Sequence, residues 1–436
     1  MFDHHTRRVR ATVFAAAASV ALAATPAIAQ APAAGITTQQ TPASWIDPTT
    51  GRQIVRIDAT PGNYALYFNY NPFTPQGDLM IYLTPEGIRA VDLKTWQTRL
   101  VLRAKVDRLL FAGPRSRSAY YTVRDVAVDD GGPFQVWRVD LDSGATRKIA
   151  DAPGGRIEAI NADETLLAGE RELQPPPPAI AAQGRRDPKT GAPTYAGTGP
   201  DGKPLSFAAA KGQWMAARLA ARVPMEMYSI AIADGRRRTI HRATDWLNHV
   251  QFSPTDPGLL MFCHEGPWDK VDRIWTIRTN GKGLTRVHTR TMAGEIAGHE
   301  FWSSDGHTIW YDLRTPAKDG AGWLSSYDVA SGARTRLAIA GDQSSYHFTQ
   351  SPDRTVFAGD GGNAGKWISL FTPRATATPQ PNLIAPGVLD TTRLANLATH
   401  DYTLEPNQHF TPDGKWIVYR TNLEGAPAIY AVSTGR

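Results

Sequence analysis

The sequence predicts an all-β fold, a seven-bladed β-propeller of four-stranded antiparallel blades, and three observations lead there. A turn followed by an apolar strand recurs along the chain, and a second hairpin signal follows each copy. The 38 Gly and 32 Pro among 436 residues favour many short strands over long helices. A recurrence near 40 to 50 residues is the signature of a blade repeat.

The clearest unit is Phe410-Thr411-Pro412-Asp413-Gly414-Lys415-Trp416-Ile417-Val418-Tyr419. It returns at Phe252-Ser253-Pro254 before Leu259 to Phe262, at Trp302-Ser303-Ser304-Asp305-Gly306 before Ile309 to Tyr311, at Ser351-Pro352-Asp353 before Val356 to Ala358, and at Phe73-Thr74-Pro75 before Leu79 to Leu83. Weaker copies sit at Gly113-Pro114-Arg115-Ser116 and Asn161-Ala162-Asp163-Glu164. Second hairpins are expected over Ile88 to Leu102, Gln135 to Ile149, Tyr228 to Ile240, Ile274 to His288, Ser325 to Ile339, Trp367 to Ile384, and from Ala428 onward. Two hairpins make one blade. The last unit lacks a strand, which Gln53 to Ile57 can supply, closing the ring and removing an open edge. Residues 52–436 therefore read as one propeller domain, interrupted at about 172–225 by a proline run and an Ala-rich helical stretch, a lid or a partner surface, with a surface loop as the alternative.

The first residues differ from the rest. Arg7, Arg8 and Arg10 precede an apolar run from Ala11 to Ala24, and Ala27-Ile28-Ala29 supplies small residues for cleavage. Residues 1–29 are expected to be a signal peptide and 30–51 a linker, placing the mature protein in the periplasm or outside the cell, with no stable membrane insertion after cleavage. Cys263 is the single cysteine, which excludes an intrachain disulfide and a thiol metal site and suits a small buried hydrophobe. The net charge of +6 suits an acidic partner. Its cations are scattered and no nucleic-acid motif is present, so an acidic polysaccharide fits at least as well as a nucleic acid.

In a propeller the loops at one mouth of the channel carry the chemistry. Polar residues gather at Asn248-His249, Cys263 to Arg273, Gly298 to Trp302, Tyr346-His347 and His400 to His409. No Gly-x-Ser-x-Gly elbow, His-Glu-x-x-His helix or Gly-rich phosphate loop occurs. Histidine, arginine and carboxylates around a cavity suit β-elimination from a uronic acid. The carboxylate must be neutralised so that charge can spread into it, and a neutral imidazole can remove the C5 proton near neutral pH. His264, His249 and Glu265 are candidate substrate-binding residues, with bracing of the fourth blade as the alternative for each. Trp268, Trp302 and Trp310 are candidate sugar platforms or core residues.

Cys263-His264-Glu265-Gly266-Pro267-Trp268, Val271-Asp272-Arg273-Ile274-Trp275, His299-Glu300-Phe301-Trp302 and Phe357-Ala358-Gly359-Asp360-Gly361 together resemble the oligogalacturonate lyase family of polysaccharide lyases. The resemblance implies His299 as base, Arg273 as its assistant and short acidic pectin fragments as substrate. It also implies a divalent cation, Mn²⁺, held by His347 and by a run before the last blade. That run departs from the family pattern, which has Gln-x-x-His-x-His where this chain reads Tyr402, Glu405 and Asn407. Glu405 and Asn407 offer oxygen ligands suited to Mn²⁺, Mg²⁺ or Ca²⁺, with His400 or His409 as substitutes. Two other readings stay open: a lyase for a different uronate glycan, and a non-catalytic periplasmic propeller that binds a protein or glycan.

Overall fold

Three of the repeat turns close themselves through their own side chains in the same way. In the last blade the Thr411 hydroxyl donates to Asp413 Oδ1 at 2.6 Å and accepts the Trp416 N–H at 3.1 Å. Ser303 does the same with Asp305 (2.5 Å) and Thr308 (3.0 Å), and Ser351 with Asp353 (2.6 Å) and Val356 (3.1 Å). These bonds satisfy backbone donors that the tight turn would otherwise strand. The position after the aspartate is left-handed: Gly306 has φ 71° and Gly414 φ 72°, while Arg354 (φ 63°) and Glu164 (φ 60°) adopt it where the repeat lacks glycine. Glycine is favoured there because a Cβ makes left-handed backbone costly, by about 1–2 kcal/mol.

The computed structural model describes residues 43–124, 132–186, 193–316, 322–362, 365–376 and 385–436. The expected signal peptide, most of the expected linker and Ile384 lie outside the described residues. Among those described, no helix is long and apolar enough to cross a membrane.

Blade 1 has strands Leu79–Thr84, Gly87–Asp92 and Thr98–Arg103, and isolated bridges from Phe73 to Met80 and from Tyr64 to Leu83 stand where its inner strand would be. Blade 2 runs Arg108–Ala112, Ser118–Val123, Phe134–Asp140, Thr146–Ala152, and blade 3 Arg156–Ile160, Leu166–Glu172, Met225–Ala231, Arg237–Ala243. Blade 4 is Trp246–Phe252, Leu259–Glu265, Ile274–Arg278, Thr285–Arg286, and blade 5 is Ile296–Trp302, Thr308–Arg314, Gly322–Asp328, Arg334–Ile339. Blade 6 holds Phe348–Gln350, Phe357–Gly359, Trp367–Ala375 and Ala385–Asn396. Blade 7 holds His409–Phe410, Trp416–Thr421 and Ala428–Ser433, and Gln53–Asp58 pairs antiparallel with its last strand in the register Ile54 to Val432 and Val55 to Ala431. This is the closure that the sequence indicates.

Blades bury both faces against their neighbours, so inner strands read as apolar runs rather than alternating ones. Leu79 to Tyr82 are all buried, and Val55, Ile57, Met80, Tyr82, Val418 and Ala431 form one cluster between the last blade and the first. Outer strands such as Thr98–Arg103 are largely half-buried or exposed.

Two boundaries differ from expectation. The second hairpin of blade 6 continues to Asn396 rather than ending at Ile384, and Ala385–Asn396 also pairs in parallel with Arg334–Ile339, joining blades 5 and 6 at their rims into one eight-stranded sheet. A long Thr- and Pro-rich segment hides that strand from periodicity. Within the expected linker, Ala43–Ile46 is a strand against Gln53–Asp58. The Asp47 carboxylate makes the hairpin turn by accepting the Thr49 and Thr50 N–H groups.

The segment between Leu166–Glu172 and Met225–Ala231 carries helix α1 (Pro178–Gln183), a short two-stranded sheet and helix α2 (Phe207–Ala221). Ser206 caps α2 by accepting the Ala209 N–H, and Arg222 ends it in left-handed backbone. Its buried Arg218 lies over Trp214 and Trp246 and pairs with Glu172 at 2.6 Å, while Leu219 reaches the Gly266 turn of blade 4. The insertion is thus docked on the propeller.

Candidate active site

The inner strands of blades 4 and 5 carry the same irregularity. Asn248 faces Cys263 and Gln251 faces Met261, so two residues oppose one; Gly298 faces Asp312 and Phe301 faces Trp310, with the same slip. These are β-bulges, which turn a side chain out of the pleat. The first bulged residue is His249 in one (φ 52°) and His299 in the other (φ 49°). In blade 7 Asn407 (φ 50°) also has a left-handed backbone. Non-glycine residues held in this region carry about 1–3 kcal/mol of strain and cluster at functional sites.

His299 is held by Asp312, whose Oδ1 lies 3.1 Å from Nδ1, and Arg314 sits 3.3 Å from the other carboxylate oxygen. Burial pushes the Asp312 carboxyl up, but His299 and Arg314 outweigh it and hold it below its ordinary value. With Nδ1 engaged, Nε2 is the nitrogen left for chemistry. The His299 ring meets Trp268 edge-on at 5.5 Å and His347 at 4.9 Å, and the side chain keeps 18% exposure.

His347 is 1% exposed and repeats the arrangement in blade 6. Its Nδ1 lies 2.6 Å from Asp360 Oδ2, its Nε2 lies 3.2 Å from the Tyr67 hydroxyl, and its ring stacks on Phe68 at 4.5 Å. Burial disfavours the charged ring, yet Asp360 raises its pKa above the ordinary imidazole value. Tyr67 and Phe68 come from the irregular segment before blade 1, so the ring closure brings the two ends of the domain to one place.

Arg273 is 4% exposed. Its Nη1 donates to Glu265 at 3.1 Å, its Nε donates to Glu300 at 3.4 Å, and its guanidinium lies 4.8 Å from the Trp268 ring centroid. Asp272 pairs with Arg286 and Arg290 instead. Glu265 also accepts from Asn248 at 2.7 Å and lies 3.6 Å from His249 Nε2. Burial alone would raise both glutamates; Arg273 and then His249 hold them below the usual carboxylate range. His249 is raised in turn, because Glu265 outweighs the burial penalty. This cluster is close to charge-neutral, which is how ionised groups survive burial.

Of the sequence candidates, His299, Arg273, His249, Glu265 and His347 converge through these contacts and Trp268. His264 does not. Alternation along Leu259–Glu265 turns it to the opposite face from Glu265, where it pairs with Asp245 at 3.1 Å and packs against His241, Phe262 and Trp275 in a separate cleft. The structure therefore does not bring it to the His299 cluster. Trp310 packs on Phe357 and Trp302 against the blade 5 core, which leaves Trp268 as the one of these three tryptophans at the site. Cys263 is fully buried against Glu300.

At the expected metal position, Asn407 Oδ1 accepts the Phe68 N–H at 3.4 Å, and the exposed Glu405 is close enough to act on both His347 and Tyr67 electrostatically. Among the described residues no group of three His, Cys, Asp or Glu is preassembled for a metal. The donor set of one imidazole, one carboxylate and one amide nonetheless fits a hard cation: Asp360 fixes the His347 tautomer in the manner of an outer-shell carboxylate, and an amide oxygen has a second lone pair to offer. His400 and His409 are unavailable as substitutes. His400 bonds to Thr421 and the Leu404 carbonyl, and His409 to the Tyr70 carbonyl, with burial driving the His409 pKa down to about 4. Tyr402 donates to the Asp360 carbonyl at 3.1 Å and braces the pair from behind.

Asp312 and Tyr67 escaped the sequence reading. A lone Asp in the apolar run Ile309-Trp310-Tyr311-Asp312-Leu313 was the available signal for the first. Tyr67 has none, since it lies in no regular element.

Comparison with known proteins gives a consistent result. Residues 220–371 match the family model described as oligogalacturonate lyase. An oligogalacturonide lyase of Pectobacterium atrosepticum and an oligogalacturonate lyase of Dickeya dadantii are each 27% identical over 212 residues, covering 46% of this chain. The match spans about half the length of those curated relatives, 53%. Two solved structures share the fold over 92% of the chain: an oligogalacturonate lyase in complex with manganese (21% identity, TM-score 0.69, 97% of that chain) and one from Vibrio parahaemolyticus (19%, 0.70, 98%). The all-β propeller is a fold this chain shares with those structures, and its residues 220–371 are similar to oligogalacturonate lyases.

Proposed function

We propose that this chain cleaves short uronic-acid oligosaccharides, pectin fragments of the oligogalacturonide type, by β-elimination. The observation that carries this reading is the His299–Asp312 pair: an oriented imidazole on a strained bulge, beside a buried arginine and a bracketing tryptophan. His299 Nε2 takes the C5 proton, the electron pair forms the C4=C5 double bond, and the O4 leaving group departs. Asp312 keeps Nδ1 protonated and steadies the imidazolium that forms. Arg273 engages Glu265 and Glu300 through Nη1 and Nε, leaving Nη2 outside these bonds to face the uronate carboxylate, which gathers charge in the transition state. Trp268 offers a ring to the sugar.

A Mn²⁺-type cation, when bound by His347, Glu405 and Asn407, supplies further neutralisation of that carboxylate. The manganese in the name of a related structure supports this assignment. The charged, apolar and small-residue order of residues 1–29 supports export to the periplasm or beyond.

The test is incubation with a panel of uronate oligomers while following absorbance of the C4=C5 bond, with and without a chelator. Product formation that falls with chelator and returns with Mn²⁺ supports both the reaction and the cation. Absence of product from every uronate oligomer overturns the reading.

A further inference from the structure

Helix α2 of the insertion places Lys211 at the site. Its ammonium lies 6.0 Å from the centroid of the Trp268 ring, the same ring that Arg273 approaches at 4.8 Å and His299 at 5.5 Å. Lys211 also acts electrostatically on Glu265. It is half-buried and makes no ion pair among the described residues. Helical spacing puts it on the face that bears Met215 and Arg218, both buried, and Arg218 is the residue that locks α2 to the propeller.

Charge balance gives this lysine a task. Glu265, Glu300, Asp312, Asp360 and Glu405 surround the three imidazoles, and Arg273 is already shared between two of these carboxylates. A substrate with a carboxylate on each sugar enters a region whose own cations are already engaged by these carboxylates. One cation at the reacting sugar leaves the neighbouring carboxylate uncompensated, and like charges so placed are costly. A lysine with a flexible stem, anchored on a docked helix beside the tryptophan, is the group available to meet it.

We propose that Lys211 is a specificity residue that receives the carboxylate of the uronate adjacent to the one undergoing elimination; this rests on the lyase reading above. The insertion then takes part in recognition and sets a preference for substrates with at least two acidic sugars. Lys211 does not touch the reacting atoms, so its loss acts on binding.

Digalacturonate is the probe. Lys211→Gln is expected to raise KM about tenfold, the size of one lost charge-assisted contact at a partly exposed position, with kcat within about threefold of wild type. The rise of KM with ionic strength flattens in Lys211→Gln, and Lys211→Arg restores both KM and the salt response; a purely structural lysine would move neither in this way. Turnover by the wild type together with an unchanged KM and salt dependence in Lys211→Gln overturns this proposal alone. No turnover of any uronate oligomer by the wild type overturns the lyase reading and this proposal with it.

Discussion

Blades 5 and 6 present the same device in two states. In each, an aspartate on or just after the second strand grips Nδ1 of a histidine on or beside the innermost strand. His299 meets Asp312 at 3.1 Å from a bulge with a left-handed backbone and keeps part of its edge open. His347 meets Asp360 at 2.6 Å, is buried, and has its Nε2 against Tyr67. One additional backbone irregularity separates an imidazole that can be approached by a substrate proton from one suited to hold a ligand in place. The lesson is that the aspartate defines the tautomer and the strand defines the job.

This contrast can be broken most severely at His299. His299→Ala should lower kcat by about 10²–10⁴, the usual worth of a positioned base, while Mn²⁺ binding measured by titration stays near wild type. Asp312→Asn should cost roughly 10²-fold in kcat with an intact far-ultraviolet spectrum, because an amide no longer dictates which ring nitrogen carries the proton. Asp360→Asn attacks the other blade: Mn²⁺ affinity should fall about 10–100-fold by calorimetry, and activity at saturating Mn²⁺ should recover in large part. A loss of kcat in Asp360→Asn that no amount of Mn²⁺ repairs would mean that the two pairs are not separable.

The smallest effect concerns the third imidazole, His249, which is held by a glutamate instead. In Glu265→Gln its pKa should move down from its raised value, followed by the imidazole resonances in a pH titration. The sign for stability follows from linkage. His249, raised in the folded protein, adds stability in full below about pH 6.5 and loses it as pH rises through the folded pKa. Glu265, held low, adds stability above about pH 4.3 and loses it as pH falls through its lowered folded pKa. The drop in Tm caused by Glu265→Gln should therefore be largest between about pH 4.3 and 6.5. A pH-independent drop would show that the pair contributes packing alone.

The ring was legible in the sequence because its turns are local. The turns at Thr411, Ser303 and Ser351 form the same bonds within a few residues of chain, so counting turns counted blades. The strand Ala385–Asn396 was not legible, because its place depends on a parallel partner in the preceding blade. In the site, His299, Arg273 and His347 stood out through motif. His264 falls away from this cluster because adjacent letters on a strand point to opposite faces, and only the register with Ile274–Arg278 and the neighbouring blades reveals which face is which. Asp312, Tyr67 and Lys211 come to the site from a second strand, an irregular segment and an inserted helix, and no spacing rule connects them.

The pairing of Gln53–Asp58 with Ala428–Ser433 has a consequence for the order of assembly. Tyr67 and Phe68 follow the first of these strands, and Asn407 lies just before His409–Phe410 in the blade that the second completes, so closing the ring brings them together with His347. Contacts of such sequence separation are the slowest to form. A chain still emerging from the ribosome, or one cut short before Ser433, can build several blades and yet hold no finished pocket. The clasp thereby ties the geometry of the pocket to an intact C-terminal strand, and a truncation before Ser433 is expected to lose turnover while keeping much of its β-sheet signal in circular dichroism.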